Sequence, residues 1–183
     1  QIVAFSCKKR GFCPSCCAKR KIEAAVHLVD NVLPFAPYRQ FVFSFPIALR
    51  YWLHFNSELY SATHRLIISR LQGLYIRKAK ALGIKAPAAG CISFRQNWGS
   101  ALNLNPHLHI LCLDGVFYQP IPGFAELRNL SSYVSEEDIA ALLEGCVAAI
   151  LALLRKSGYL DDEGVLVSLP LFDRVFAESE AIT

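Results

Sequence analysis

Acidic side chains are nearly missing from the first 113 residues of this 183-residue chain, which carry three Asp and Glu against fifteen Lys and Arg, a balance of +12. Residues 114–183 reverse it with twelve acids against four cations, or −8, so the overall charge of +4 conceals a strongly basic part. A segment this cationic relieves its self-repulsion on a polyanion, nucleic acid above all, or beneath its own acidic tail. Long apolar runs are absent as well. The longest, IAALLEGCVAAILALL at 139–154, is interrupted by Glu144 and falls short of the ~20 residues that cross a bilayer, so the sequence predicts no membrane span and a cytoplasmic protein. There is no initiator Met, and the cations at 8–10 run into cysteines instead of the apolar stretch of a signal peptide, which predicts a fragment beginning in mid-sequence. Internal repeats and low-complexity tracts are missing too. With 54% hydrophobic residues the chain has enough apolar material for one folded core.

Cysteine is plentiful but not spread as a disulfide framework. Cys91, Cys112 and Cys146 stand alone in apolar surroundings and read as buried thiols, whereas four of the seven cysteines fall between Cys7 and Cys17. There Cys13 and Cys16 form a C-P-x-C, a short turn that directs two thiolates at one tetrahedral ion, with Cys7 a candidate third zinc ligand and Cys17 a candidate fourth, although adjacent Cys16 and Cys17 rarely serve one ion. One such pair is half a zinc site, and its partner pair is expected upstream of Gln1. A redox pair and plain buried cysteines are the other readings of this cluster. Lys8, Lys9, Arg10, Lys19, Arg20 and Lys21 surround it and are candidate DNA contacts.

Along the chain, helical spacing of Ile22, Ala25, Val26, Val29 and Leu33 predicts a helix stopped by Pro34, and YRQFVFSF at 38–45 predicts a strand. Pro46 suits the first turn of a short helix over IALRYWLHF. A long helix follows over 57–83, capped by Ser57 and ended by Gly83, with Arg77, Lys78 and Lys80 as further DNA contacts near its C-terminus. Two strands, GCISFRQNW and HLHILCLDG, come next, and a turn at Asp114-Gly115 leads to a third, VFYQPI, all in one antiparallel sheet. A loop then runs to Ser135, which with Asp138 forms a capping box for a helix ending at Gly158, and VLVSL at 165–169 reads as a last strand.

The stretch NLNPHLHILCLDG poses the chemical question. His107 and His109 are two apart on a strand, so they share one face, with Cα atoms roughly 7 Å apart, and can converge on one ion. Gln96 on the preceding strand and Asn103 and Asn105 in the linker offer oxygen. Two imidazoles plus one oxygen leave open positions on a divalent ion, as a catalytic metal site requires. Gln96 is the candidate third ligand; it reads otherwise as a strand-edge residue or one that orients a histidine.

Taken together, SCKKRGFCPSC, FVFSFP followed by ALRYWL, and above all FRQNWGSALNLNPHLHILCLDGV resemble the rolling-circle insertion-sequence transposases, the two-tyrosine branch of the HUH endonucleases. The resemblance runs from about Phe5 to Phe117. It implies an α+β fold in which a partial zinc ribbon (1–20) precedes an antiparallel HUH-type sheet flanked by helices (21–183). It further implies Mg²⁺ or Mn²⁺ on His107 and His109, Zn²⁺ on the cysteines, and single-stranded DNA at the element's ends as partner, with no nucleotide cofactor. The function it implies is DNA transposition by nicking and rejoining one strand through a phosphotyrosine. The sequence departs from the family in lacking a downstream helix with paired tyrosines. Tyr118, Tyr133 and Tyr159 are scattered and read as packing or loop residues, so no nucleophile is carried over and the fragment is expected to be inactive. Two readings compete: a non-catalytic zinc-dependent nucleic-acid-binding protein, and a phosphodiesterase that activates water, which lacks ligands for a second metal.

Overall fold

The structure, a computed structural model, describes residues 14–99, 101, 103–161 and 163–167, the side chains of 14–17 excepted. Two compact units, Gln1–Ala36 and Pro37–Thr183, divide the chain. In the first, α1 (Pro14–His27) begins at the proline of the C-P-x-C segment, where the missing amide proton costs nothing because first-turn donors have no intrahelical acceptor. The expected turn at Pro14 is therefore the start of a helix. Leu28–Val32 continue α1 as a π turn, closed by the Leu33 N–H donating to the Leu28 carbonyl at 2.8 Å just before Pro34.

The second unit is organised by a central strand. β1 (Tyr38–Ser44), β2 (Cys91–Trp98) and β3 (Leu104–Leu113) form an antiparallel sheet in the order β1-β3-β2. Alternation along β3 sends Leu108, Ile110 and Cys112 to one face, all 0% exposed. There they join Leu49 and Leu53 of α2 (Ile47–Phe55) and Ile67 and Leu71 of α3 (Ser57–Ala81) in one core. Each large side chain buried this way stabilises the fold by about 1.5–3 kcal/mol. The cap of α3 is Asn56 and not Ser57, since the Asn56 Oδ1 accepts from the Leu59 N–H at 2.9 Å. Gly83, at φ +80°, ends that helix as expected.

The Asp114-Gly115 step differs from expectation. It is not a hairpin turn. β4 (Gly115–Ile121) leaves the first sheet and pairs antiparallel with β5 (Phe124–Asn129) in a second, two-stranded sheet. Gly115 lies so close to the Arg128 carbonyl that no side chain fits at that position. The β4–β5 hairpin turns at Pro122-Gly123, with Gly123 at φ +87°, the value a type II turn demands of its third residue. α4 (Glu136–Lys156) carries the expected capping box: the Ser135 N–H donates to Asp138 Oδ2 at 2.9 Å and the Asp138 N–H to Ser135 Oγ at 3.3 Å. It packs on α3, and Lys78 of α3 reaches Asp138 at 2.5 Å. Of the expected strand at 165–169, the described residues keep one bridge, between Leu160 and Leu166. The fold is α+β with antiparallel sheets, and no described helix is long and apolar enough to cross a membrane.

Candidate metal centre on the open face of the sheet

The face of β3 opposite the helices carries the histidines. His107 is 9% exposed and His109 half-buried, and their rings stand 4.9 Å apart at 61°. Register places Gln96 directly across from His107 on one side and Ser44 on the other, with Phe94 and Val42 flanking His109. The shared face and the neighbouring amide expected from sequence are both present.

Local backbone geometry explains how the pair is held. Pro106 has no N–H to give a central strand, and it sits where the β2–β3 register slips between Gln96 and Trp98, an irregularity that tolerates the missing donor. Just before it, the Asn105 carbonyl accepts a 2.6 Å hydrogen bond from His107 Nδ1. A carbonyl can only accept, so the proton is on Nδ1 and the Nε2 lone pair is free, the arrangement common to metal-ligating histidines. His109 Nδ1 lies 3.1 Å from Gln40 Nε2. As placed, the amide donates and Nδ1 accepts. Turning the Gln40 amide over would make its oxygen the acceptor and free His109 Nε2 in the same way. Gln40 is a site residue that sequence reading missed, because its proximity depends on the pairing of β1 with β3 across 69 positions.

Gln96 Nε2 donates to the Trp98 carbonyl at 3.1 Å, which leaves Oε1 as the end of the amide available to an ion. Asn105 Oδ1 is buried with no hydrogen-bond partner among the described residues. Those residues hold no cluster of three His, Cys, Asp or Glu, and the donors they offer beside the imidazoles are the amide oxygens of Gln96 and Asn105. Two imidazole nitrogens and one or two amide oxygens fit a divalent ion that keeps water or phosphate in its other positions, and nitrogen ligands favour Mn²⁺ over Mg²⁺.

Of the candidate DNA contacts, those on α3 are not gathered at this site. α3 runs beneath the sheet with Tyr60 under Arg95, His64 Nε2 2.7 Å from Ser93 Oγ, and Tyr75 bonded to Asp114. Arg77, Lys78 and Lys80 therefore come past the Asp114 end, about 23 Å along β3 from His107 at 3.3 Å per residue. Lys78 is engaged by Asp138, whose carboxyl is held below its ordinary range chiefly by that contact. Lys19, Arg20 and Lys21 are exposed on α1. Cys7, Cys13, Lys8, Lys9 and Arg10 lie outside the described residues, and Cys16 is described by its backbone alone, in α1.

Several phenols are committed elsewhere. The Tyr118 hydroxyl donates to Glu126 at 2.9 Å on the second sheet, a bond that, ahead of other causes, raises its pKa. Tyr159 is bonded to Asn56, and Tyr75 is buried against Asp114.

Residues 1–45 match a protein family described as "Transposase zinc-binding domain", and residues 90–132, from the start of β2 to beyond β5, match one described as "Putative transposase". Over 103 residues the chain is 31% identical to the transposase for insertion sequence element IS801 of Pseudomonas savastanoi pv. phaseolicola. These likenesses support an insertion-sequence transposase. The aligned stretch is 56% of this chain and 23% of that transposase's length. No solved structure matches the chain. The second family match contains Gln96, His107 and His109, and the first contains Cys7, Cys13 and Cys16, which supports zinc in the N-terminal part of such a transposase.

Proposed function

We propose that this chain carries the ion-binding and DNA-binding core of a transposase that moves DNA by nicking and rejoining a single strand, with an HUH-type sheet as its palm. The observation that carries the reading is the pair of imidazoles on the open face of β3, one with its Nε2 freed by the Asn105 carbonyl and with the Gln96 amide opposite. His107, His109 and Gln96 would hold Mn²⁺ or Mg²⁺, and Cys7, Cys13 and Cys16 would take part in a zinc ribbon. Bound there, the ion supplies Lewis-acid withdrawal of charge from a scissile phosphate. The protein's share is to fix the imidazoles through Asn105 and Gln40 and to attract the strand by the basic charge of residues 1–113. No nucleophile is assigned.

The test is a Mn²⁺ titration followed by the spectroscopic signal of the free ion, beside oligonucleotide binding at graded salt. His107→Ala and His109→Ala should each weaken Mn²⁺ by more than the roughly 10- to 100-fold expected for losing an outer partner. Affinity for a single strand should fall steeply with salt as Lys and Arg release counterions. Unchanged Mn²⁺ affinity in both variants refutes the ion site. Zinc binding and salt-sensitive DNA binding without any Mn²⁺ effect would mark a non-catalytic nucleic-acid-binding protein instead.

A further inference from the structure

The end of the sheet that holds His107 also carries a row of exposed aromatic rings that the ion chemistry does not use. Trp98, two residues beyond Gln96, is 50% exposed, and its ring lies 5.7 Å from that of His54 on α2. His54 meets Phe55 edge-on at 4.7 Å, and Phe55, 60% exposed, lies 6.4 Å from Tyr51 with the two ring planes 15° apart. A Trp and a Phe left half or more in water at one corner are not explained by the core, which Leu49 and Leu53 of the same helix enter. His54 adds a buried Nδ1 with no hydrogen-bond partner among the described residues.

We infer that Trp98 and Phe55, continued by Tyr51, form a stacking platform for the unpaired bases of a single strand bound at this end of the sheet, on the helix side of the edge whose open face carries the histidines. This rests on the function proposed above and adds the part of the molecule that would tell a single strand from a duplex. Local charge favours nucleic acid over a basic protein partner: α2 and β2, the elements that carry these rings, hold Arg50 and Arg95 and no acid. One of those cations stands at the platform itself. Arg95 lies 3.8 Å from the Tyr60 ring centre and donates to the Leu53 carbonyl at 3.1 Å, beside His54 and Phe55. Ring faces accept any base without reading its edges, and a duplex keeps its base faces stacked and out of reach.

The test uses the full chain and a labelled thymidine oligonucleotide, read by anisotropy, with tryptophan emission as a second signal. Trp52→Phe leaves Trp98 as the chain's other tryptophan. In that variant, added oligonucleotide should quench Trp98. Trp98→Ala and Phe55→Ala should each weaken the single strand about 5- to 150-fold, the usual range for a lost stacking partner, while Trp98→Phe stays within about threefold. Affinity for a duplex should not move, and thermal melts of the variants check that they fold. If the oligonucleotide binds but Trp98 emission is unaffected and both alanine variants bind as wild type, the platform is refuted and the DNA reading stands. If wild type binds no oligonucleotide, the DNA reading fails and takes the platform with it. If the chain self-associates through these rings, so that the alanine variants change its sedimentation but not its DNA affinity, a second copy is the occupant and the platform is again refuted.

Discussion

The two ends of β3 handle polar side chains in opposite ways. At its C-terminal end Asp114, 6% exposed, has both carboxylate oxygens answered: Tyr75 donates to Oδ1 at 2.8 Å and Arg39 to Oδ2 at 3.1 and 3.3 Å. Arg39 continues to the carbonyls of Ser131 and Val134, and the Asp114 backbone bonds Pro37 and Leu130, so one residue ties β1, α3 and the segment before α4 together. At the other end, among the described residues, His107 is held through Nδ1 and Gln96 through its amide nitrogen, which leaves Nε2 and Oε1 available, and the buried Asn105 Oδ1 has no partner. A buried polar cluster whose bonds close on themselves specifies the fold. A cluster that leaves acceptors open, one of them buried, suits a ligand that is not part of the chain.

That contrast predicts unequal responses to mutation. Asp114→Ala strands a guanidinium and a phenol and should cost about 3 kcal/mol, read from equilibrium unfolding in urea, whereas His107→Ala should cost about 1 kcal/mol or less while removing the ion. Equal losses at both ends would erase the distinction. At the open end, Gln40→Ala should weaken Mn²⁺ about 10-fold by releasing the His109 ring, with Gln40→Glu restoring it, as titration of the free ion would reveal. At the closed end, Cys112 is fully buried and its thiol is pushed up to about 12, chiefly by burial, so iodoacetamide at pH 8 should leave it unmodified until the chain unfolds. Peptide mass spectrometry would detect early labelling, which would mean that this end opens.

The smallest effect concerns Asp138, half-buried and pulled below its ordinary pKa by Lys78 first and the Ser135 backbone N–H next. A carboxyl depressed in the folded state adds stability above its unfolded pKa and loses it as pH falls through the folded one. Asp138→Asn should therefore lower the melting temperature slightly at pH 6 and flatten its decline below about pH 4.

Most elements of the second unit could be read from local sequence, because β1, α3 and α4 each carry their own periodicity and end signals. The capping box at Ser135 and Asp138 is one such local signal, fully expressed in the structure. What escaped reading depended on partners distant in sequence. FAELRN has no clean alternation, and five of its six residues remain exposed, so it becomes β5 only because β4 lies beside it; Pro122-Gly123 was the one usable hint. Asn56 and Ser57 are both good caps one position apart, and the choice fell to the neighbour. The histidine face could be seen from spacing alone. Gln40 and the row from Tyr51 to Trp98 required knowing which strands and helices meet.

Seven residues of one strand, about 23 Å at 3.3 Å each, separate Asp114 from His107, well beyond the 7–10 Å within which mutational effects couple. That spacing lets the two ends fail separately. A change around Asp114 should unfold the chain, whereas a change at the histidines should leave it folded. Under the proposed function, a chain altered only at the histidines would keep its fold and its hold on DNA, and so would compete with an intact copy for the same strand.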